Sequence, residues 1–258
     1  MKKYSVNIKE VEFIDNGVTL RGRYSELVEQ ENYPLVILAT GDGPSGSKGL
    51  TWQNIVPMLN DVGIGTFLFD FAGLGYSDGK RRELTLPIGV SNFSAVMTNV
   101  RSHVGHNHNK LGVIGASFGG NIALLAAANY PEIKAVGLKS PCCYLPEAFL
   151  CEYGEQEMQK WADLGFTEKA GFNYTAVEEA LKLSTYANAA KINVPVSVVH
   201  GTADSAVPIR QSRDLMRVLK YGELLEIPGA DHWYANGNEW NTMANHLVNF
   251  MRKTLCDE

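Results

Sequence analysis

Apolar and polar residues alternate with a period of two along "YSVNIKEVEFID" (4–15) and "VTLRGRYSEL" (18–27), the pattern of strands with one covered face. Asn16-Gly17 lies between them, and Asn-Gly is the pair that a two-residue hairpin turn demands, so the chain is expected to open with an antiparallel hairpin. The pattern changes at Tyr33. "YPLVILAT" is apolar without interruption, as befits a strand buried on both faces. "LTWQNIVPMLNDVG" then carries apolar residues at helical spacing through Trp52, Ile55, Val56 and Leu59 and ends at Gly63. Pro57 argues against an unbroken helix there.

The two patterns go on alternating. "IGTFLFDF" reads as a buried strand, 86–104 as a helix with a proline near its start, "LGVIGA" as a strand, "FGGNIALLAAANY" as a helix and "IKAVGLKS" as a strand. Further on, "VPVSVVHG" and "GELLEIPG" read as strands, each followed by a helix, "IRQSRDLMRVLK" and the closing amphipathic "EWNTMANHLVNFMRKTL". Strand–helix alternation with doubly buried strands predicts an α/β fold: a mostly parallel sheet, helices on both faces, and the opening hairpin as an antiparallel edge. Residues 141–190 break the rhythm. They contain no convincing strand and are rich in aromatics (Tyr144, Phe149, Tyr153, Trp161, Phe166, Phe172, Tyr174). A structureless loop of that length is improbable in a compact domain, so 141–190 is expected to be a small, mainly helical cap inserted into a core formed by 1–140 and 191–258. Glu147, Glu152, Glu155 and Glu157 are expected on a solvated helix face of that cap.

Composition narrows the classes of function. The net charge of −5 and the lack of any basic cluster longer than "GKRREL" argue against a nucleic-acid partner. "MKKYSVNIKE" has no apolar core after its lysines and no run approaches the length needed to cross a bilayer, so neither a secretory signal nor a membrane association is expected. Cys142, Cys143, Cys151 and Cys256 are too few and too irregular for a disulfide framework or a metal site, and a cytoplasmic location with reduced thiols is the simplest expectation.

The candidate chemistry begins at "GASFG". Ser117 falls between a predicted strand and a predicted helix, with Gly115 and Gly119 relieving the crowding of a tight turn. This is G-x-S-x-G, the nucleophile elbow, which lifts a serine hydroxyl above the carboxyl edge of the sheet at a helix N-terminus. A serine needs a base. "HGTADSAVP" and "GADHWY" follow two later strands and put Asp204 and His232 in loops opening on the same edge, in the chain order Ser, Asp, His. His232 is expected to take the serine proton and return it to the leaving group, with Asp204 holding the ring's tautomer. Asp231 is a rival acid, poorly placed to reach its own neighbour's far nitrogen. His200 is a rival base, better suited to closing the loop around Asp204.

The backbone N–H groups of Phe118 and of Asp42, in the loop "TGDGPSGSKG", are expected to form the oxyanion hole. Phe149, Trp161 and Trp233 are candidate walls of the substrate pocket. "HVGHNHNK" brings His103, His106 and His108 together, but a solvated loop on the opposite edge is the expectation there, and no metal or other cofactor is assigned.

With elbow, acid, base and strand order in hand, the chain resembles the α/β-hydrolase fold over nearly its whole length. It looks most like compact serine esterases of the cinnamoyl/feruloyl esterase and serine-aminopeptidase-like type, through "FDFAGLGYSDGK", "GASFGGNIALLAAANYP", "HGTADSAVP" and "GADHWY". The resemblance implies eight strands, a cap after the sixth, and cofactor-free hydrolysis of acyl esters. Such relatives often carry His where this chain has Thr40, Leu74 and Ala116, which leaves the substrate class open. The leading expectation is a serine hydrolase acting through an acyl-enzyme on a small carboxylic ester. A thioesterase or acyltransferase on a carrier-bound acyl chain, a peptidase, and a non-catalytic ligand-binding scaffold are the alternatives. Nothing in the sequence speaks to oligomeric state.

Overall fold

A computed structural model describes residues 4–256 of the chain. The opening hairpin forms as expected, β1 (Val6–Asp15) against β2 (Val18–Leu27), turning through Asn16 and Gly17 with φ of 47° and 81°. Six further strands follow: β3 (Tyr33–Ala39), β4 (Gly65–Phe69), β5 (His106–Ala116), β6 (Ile133–Lys139), β7 (Val196–Gly201) and β8 (Gly222–Ile227). They make one eight-stranded sheet in the order β1-β2-β4-β3-β5-β6-β7-β8. The β1–β2 and β2–β4 pairs are antiparallel, and every pairing from β4 through β8 is parallel. All the parallel strands therefore present their carboxyl ends on one edge. The fold is that of an α/β hydrolase.

Nine α-helices lie among the described residues. α1 (Leu50–Asp61), α2 (Leu86–Ser102) and α3 (Phe118–Ala127) connect the central strands, α8 (Arg210–Met216) joins β7 to β8, and α9 (Gly237–Leu255) follows β8. Between β6 and β7 come α4 (Leu145–Tyr153), α5 (Glu155–Leu164), α6 (Thr175–Leu181) and α7 (Thr185–Ala189). The sheet's alternation sorts the core into two layers. Val36, Leu38 and Ile114 face α1 and α9 through Leu59, Leu247 and Met251. Leu35, Ile37 and Val113 face α2 and α3 through Phe93, Val96 and Ile122, and the four-helix segment packs onto this second layer. No helix among the described residues is long and apolar enough to cross a membrane.

Two local expectations need correction. α1 runs unbroken through Pro57, because Pro57 and Gln53, the residue whose carbonyl it deprives of a partner, both lie on the exposed side. The histidine segment is not a solvated loop. β5 starts at His106, which pairs with Tyr33, and both His103 and His106 are buried, His103 stacked on Tyr24 at 3.8 Å. No cluster arranged to hold a metal ion occurs among the described residues.

His106 carries a consequence for acid stability. Neither ring nitrogen has a hydrogen-bond partner among the described residues, and burial, helped by His108 and His103, pushes its pKa down to about 4. An imidazole that is harder to protonate when folded favours the unfolded chain as the pH falls from its ordinary value of about 6.5 towards 4, by about 3 kcal/mol in full. Urea midpoints of the wild type should drop over that window, and His106→Phe should flatten the drop. A variant with the same acid slope would exclude His106 as its source.

Candidate active site

β5 and α3 meet at Ser117, whose backbone takes φ 51° and ψ −116°, a left-handed conformation that costs a residue with a Cβ about 1–3 kcal/mol. Its neighbours explain why the two glycines flank it. A Cβ on Gly115 would lie 2.4 Å from the carbonyl oxygen of Gly119, and one on Gly119 would lie 2.2 Å from that of Thr40. The turn is clamped on both sides. Ser117 N–H donates to the carbonyl of Lys139 at 3.0 Å, and the Ser117 carbonyl accepts from the N–H groups of Gly120, Asn121 and Cys142. The strained conformation is thus held by the sheet, and the side chain is left partly exposed at the sheet's carboxyl edge.

Asp204 and His232 come from the loops after β7 and β8, which are tied together by Thr202 N–H to Ile227 O and Ala203 N–H to Ala230 O, both at 3.0 Å. The Asp204 side chain is fully buried, and both carboxylate oxygens are held. Oδ1 accepts from the N–H groups of Ala206 (3.0 Å) and Val207 (2.8 Å), and Oδ2 meets Nδ1 of His232 at 2.7 Å and Nε2 of His200 at 3.1 Å. Burial disfavours the carboxylate, but the hydrogen bonds from His200 and His232 outweigh it and hold Asp204 well below the usual carboxylate range. A carboxylate on Nδ1 means that His232 carries its proton there and leaves Nε2 bare.

The rivals have other employment. His200 is fully buried, with Nε2 also on the carbonyl of Val207 (3.0 Å) and Nδ1 on Ser212 Oγ (2.7 Å), so its ring closes the Asp204 loop. Asp231 Oδ1 accepts from the N–H groups of Trp233 and Ala235 and shapes the turn after itself.

Ser117 and His232 line the same cavity of about 520 Å³, with no hydrogen bond formed between the two side chains. Phe118 and Asp42 line it as well. The loop that bears Asp42 lies against the elbow: a Cβ on Gly41 would stand 3.5 Å from Cβ of Ser117. Its peptide is fixed by Arg81, whose Nε donates to the Asp42 carbonyl at 2.8 Å while the guanidinium lies over the ring of Phe172 at 4.0 Å.

Phe149 and Trp233 also border the cavity, Trp233 at its mouth, 63% exposed and edge-on to the His232 ring at 5.7 Å. Trp161 does not. It is fully buried, its Nε1–H donates to the carbonyl of Phe172 at 2.8 Å, and Phe149, Tyr153 and Tyr174 surround it edge-on, so it forms the small core of the four-helix segment. Of the glutamates expected on a solvated face, Glu152 is exposed there and Glu147 departs from it. Glu147 is partly buried and held by Arg210 and Gln211, and Glu152 borders the cavity. Sequence reasoning also missed Lys139, Arg81, Trp52 and Tyr153, which line the cavity from four different segments. Only the last, in the aromatic-rich stretch, carried a signal.

A model of the prolyl oligopeptidase family matches residues 82–258. Among curated proteins, the uncharacterised protein YfhR of Salmonella typhi is 24% identical over 221 residues, 83% of this chain and 70% of that one. The acylamino-acid-releasing enzyme of Sus scrofa is 24% identical over 207 residues, 74% of this chain but 27% of that enzyme. Among solved structures, Est1E of Butyrivibrio proteoclasticus with ferulic acid bound superposes with a TM-score of 0.81 at 24% identity, covering 96% of this chain and all of that one. The α/β hydrolase GrgF of Penicillium sp. sh18 reaches 0.78 at 18% identity, covering 96% and 99%. At these identities the structures speak for the fold.

Proposed function

Because the chain belongs to the prolyl oligopeptidase family and is a serine hydrolase of the α/β type, we propose that it cleaves small carboxylic esters through an acyl-enzyme on Ser117. The observation that carries this reading is the 2.7 Å bond from His232 Nδ1 to a buried Asp204, made at the wall of the cavity that also holds the strained Ser117. In this mechanism Nε2 of His232 takes the proton of Ser117 as Oγ attacks the acyl carbon. The N–H groups of Phe118 and Asp42 receive the oxyanion, and His232 hands the proton to the departing alcohol. Water activated by the same nitrogen then releases the acid. The segment 141–190 acts as a cap that supplies the apolar wall through Phe149 and Tyr153, and a cytoplasmic setting accompanies the reading.

A second reading, amide cleavage, is favoured by the family's description and by the name of the porcine relative. The same machinery would have to expel an amine.

The test uses a fluorophosphonate probe on the folded protein. One adduct should appear, on the peptide that carries Ser117, and protection by p-nitrophenyl butyrate should slow it. No adduct, or an adduct elsewhere, would remove Ser117 as nucleophile and leave a binding scaffold. A matched panel of butyryl esters, butyryl thioesters and acyl-amino-acid amides then ranks the substrate classes, esters being expected to lead.

A further inference from the structure

Lys139 is the last residue of β6, and its two ends are bonded to both reacting partners. Its carbonyl accepts the N–H of Ser117 at 3.0 Å, and its Nζ donates to the carbonyl oxygen of His232 at 2.8 Å. It is 7% exposed, it lines the cavity beside both residues, and the ammonium sits 4.8 Å from the ring of Tyr234. An ammonium withdrawn from water in this way is expensive, and an apolar side chain at such a strand end commonly serves stability as well or better. The stability of the sheet therefore does not account for a lysine here. Its geometry does: β6 is rigid and central, and the side chain carries that rigidity across to the main chain of a loop residue far along the chain.

We infer that Lys139 is a positioning residue, a strut from the nucleophile's peptide to the base's carbonyl that sets the approach of His232 to Ser117. This rests on the proposed reading of Ser117 and His232.

The strut has a titration. Burial pushes the ammonium down to about 8, against the opposing pull of Asp204 and Asp231. The groups around it are Asp204 from the loop after β7 and Asp231, His232 and Tyr234 from the loop after β8; the thiol of Cys142, which burial keeps protonated, lines the same cavity. A charge-assisted bond to the His232 carbonyl is roughly twice as strong as the one a neutral amine can make, so the strut weakens as the pH rises through that value.

The experiment measures p-nitrophenyl acetate hydrolysis and fluorophosphonate labelling of Ser117 between pH 6 and 9.5. Wild type should lose rate above about pH 8. Lys139→Met should lower kcat by about 10–100-fold with KM within about twofold, the scale of a misplaced catalytic group, and should lack the alkaline fall. Lys139→Gln, a neutral donor, should recover part of kcat and also lack it. Wild-type kcat in a folded Lys139→Met, or a lowered kcat that keeps the alkaline fall, overturns the inference. The labelling rate of unmodified wild type serves if neither variant folds: a rate that does not decline above pH 8 overturns it equally. Wild type that is never labelled at Ser117 instead overturns the proposed function on which the inference stands.

Discussion

Ser117→Ala is expected to lower kcat for p-nitrophenyl esters by on the order of 10⁴–10⁶-fold, because it removes the atom that forms the acyl bond and leaves only binding and the oxyanion donors to act. The loss should come without loss of fold. Ser117 makes its contacts through its main chain, to Lys139, Gly120, Asn121 and Cys142, and alanine keeps all of them. Alanine also keeps the Cβ, so the strain at φ 51° stays. Ser117→Gly separates the two properties. It is expected to be equally inactive but to raise the melting temperature, since glycine adopts this conformation freely and relieves about 1–3 kcal/mol of strain, less the entropy glycine adds to the unfolded chain. Kinetics and thermal unfolding of the two variants side by side check this. Retention of more than about a hundredth of wild-type turnover by both would assign the nucleophile elsewhere.

The parts of the fold that could be read from the sequence are those in which a local rule and the tertiary structure agree. Asn16-Gly17 turns the hairpin because both residues take the positive φ that the turn requires. The mainly apolar runs at 33–39 and 65–69 are strands because each has a packed layer on either face. The site was legible for a related reason. An elbow needs small residues within two positions of the serine, and parallel strands must end on one edge, so Ser117, Asp204 and His232 are constrained before any coordinates are known.

What escaped depends on contacts between distant segments. "HVGHNHNK" reads as a solvated loop, yet His103 finds Tyr24 and His106 finds Tyr33, partners some 70 to 80 residues away. Trp161 looks as suited to a pocket as Phe149, and only the closure of α4, α5 and the 166–174 segment around it turns it into core. Lys139 has no periodicity or motif to mark it. Its meaning arises from being the strand neighbour of Ala116 and reaching the far loop.

Asp204→Asn should also reduce kcat, by on the order of 10⁴-fold, but unlike the serine variants it should destabilise the protein. An asparagine that keeps its oxygen on the N–H groups of Ala206 and Val207 must put its NH₂ where Oδ2 stood, facing Nδ1 of His232 and Nε2 of His200. To meet a donor, His232 must move its proton to Nε2, and the nitrogen that should accept from Ser117 then carries hydrogen. The ring is present and in place, but in the wrong tautomer. His200 has no such escape. Its Nε2–H is needed by the carbonyl of Val207, so it confronts the new NH₂ as one donor against another in a fully buried site, at a cost of about 1–3 kcal/mol. Acid behaviour should change with it. The Asp204 carboxyl is held below its ordinary value in the folded state, so wild type draws stability from it above about pH 4 and loses that stability as the pH falls further. Asp204→Asn should start lower at neutral pH and lose less below pH 4. Turnover, melting temperature and acid unfolding on the one variant thus test three consequences of one arrangement. A variant within tenfold of wild-type kcat would show that His232 is oriented by something other than Asp204, and Asp231, whose Oδ1 already holds the N–H groups of Trp233 and Ala235, would be the next acid to test.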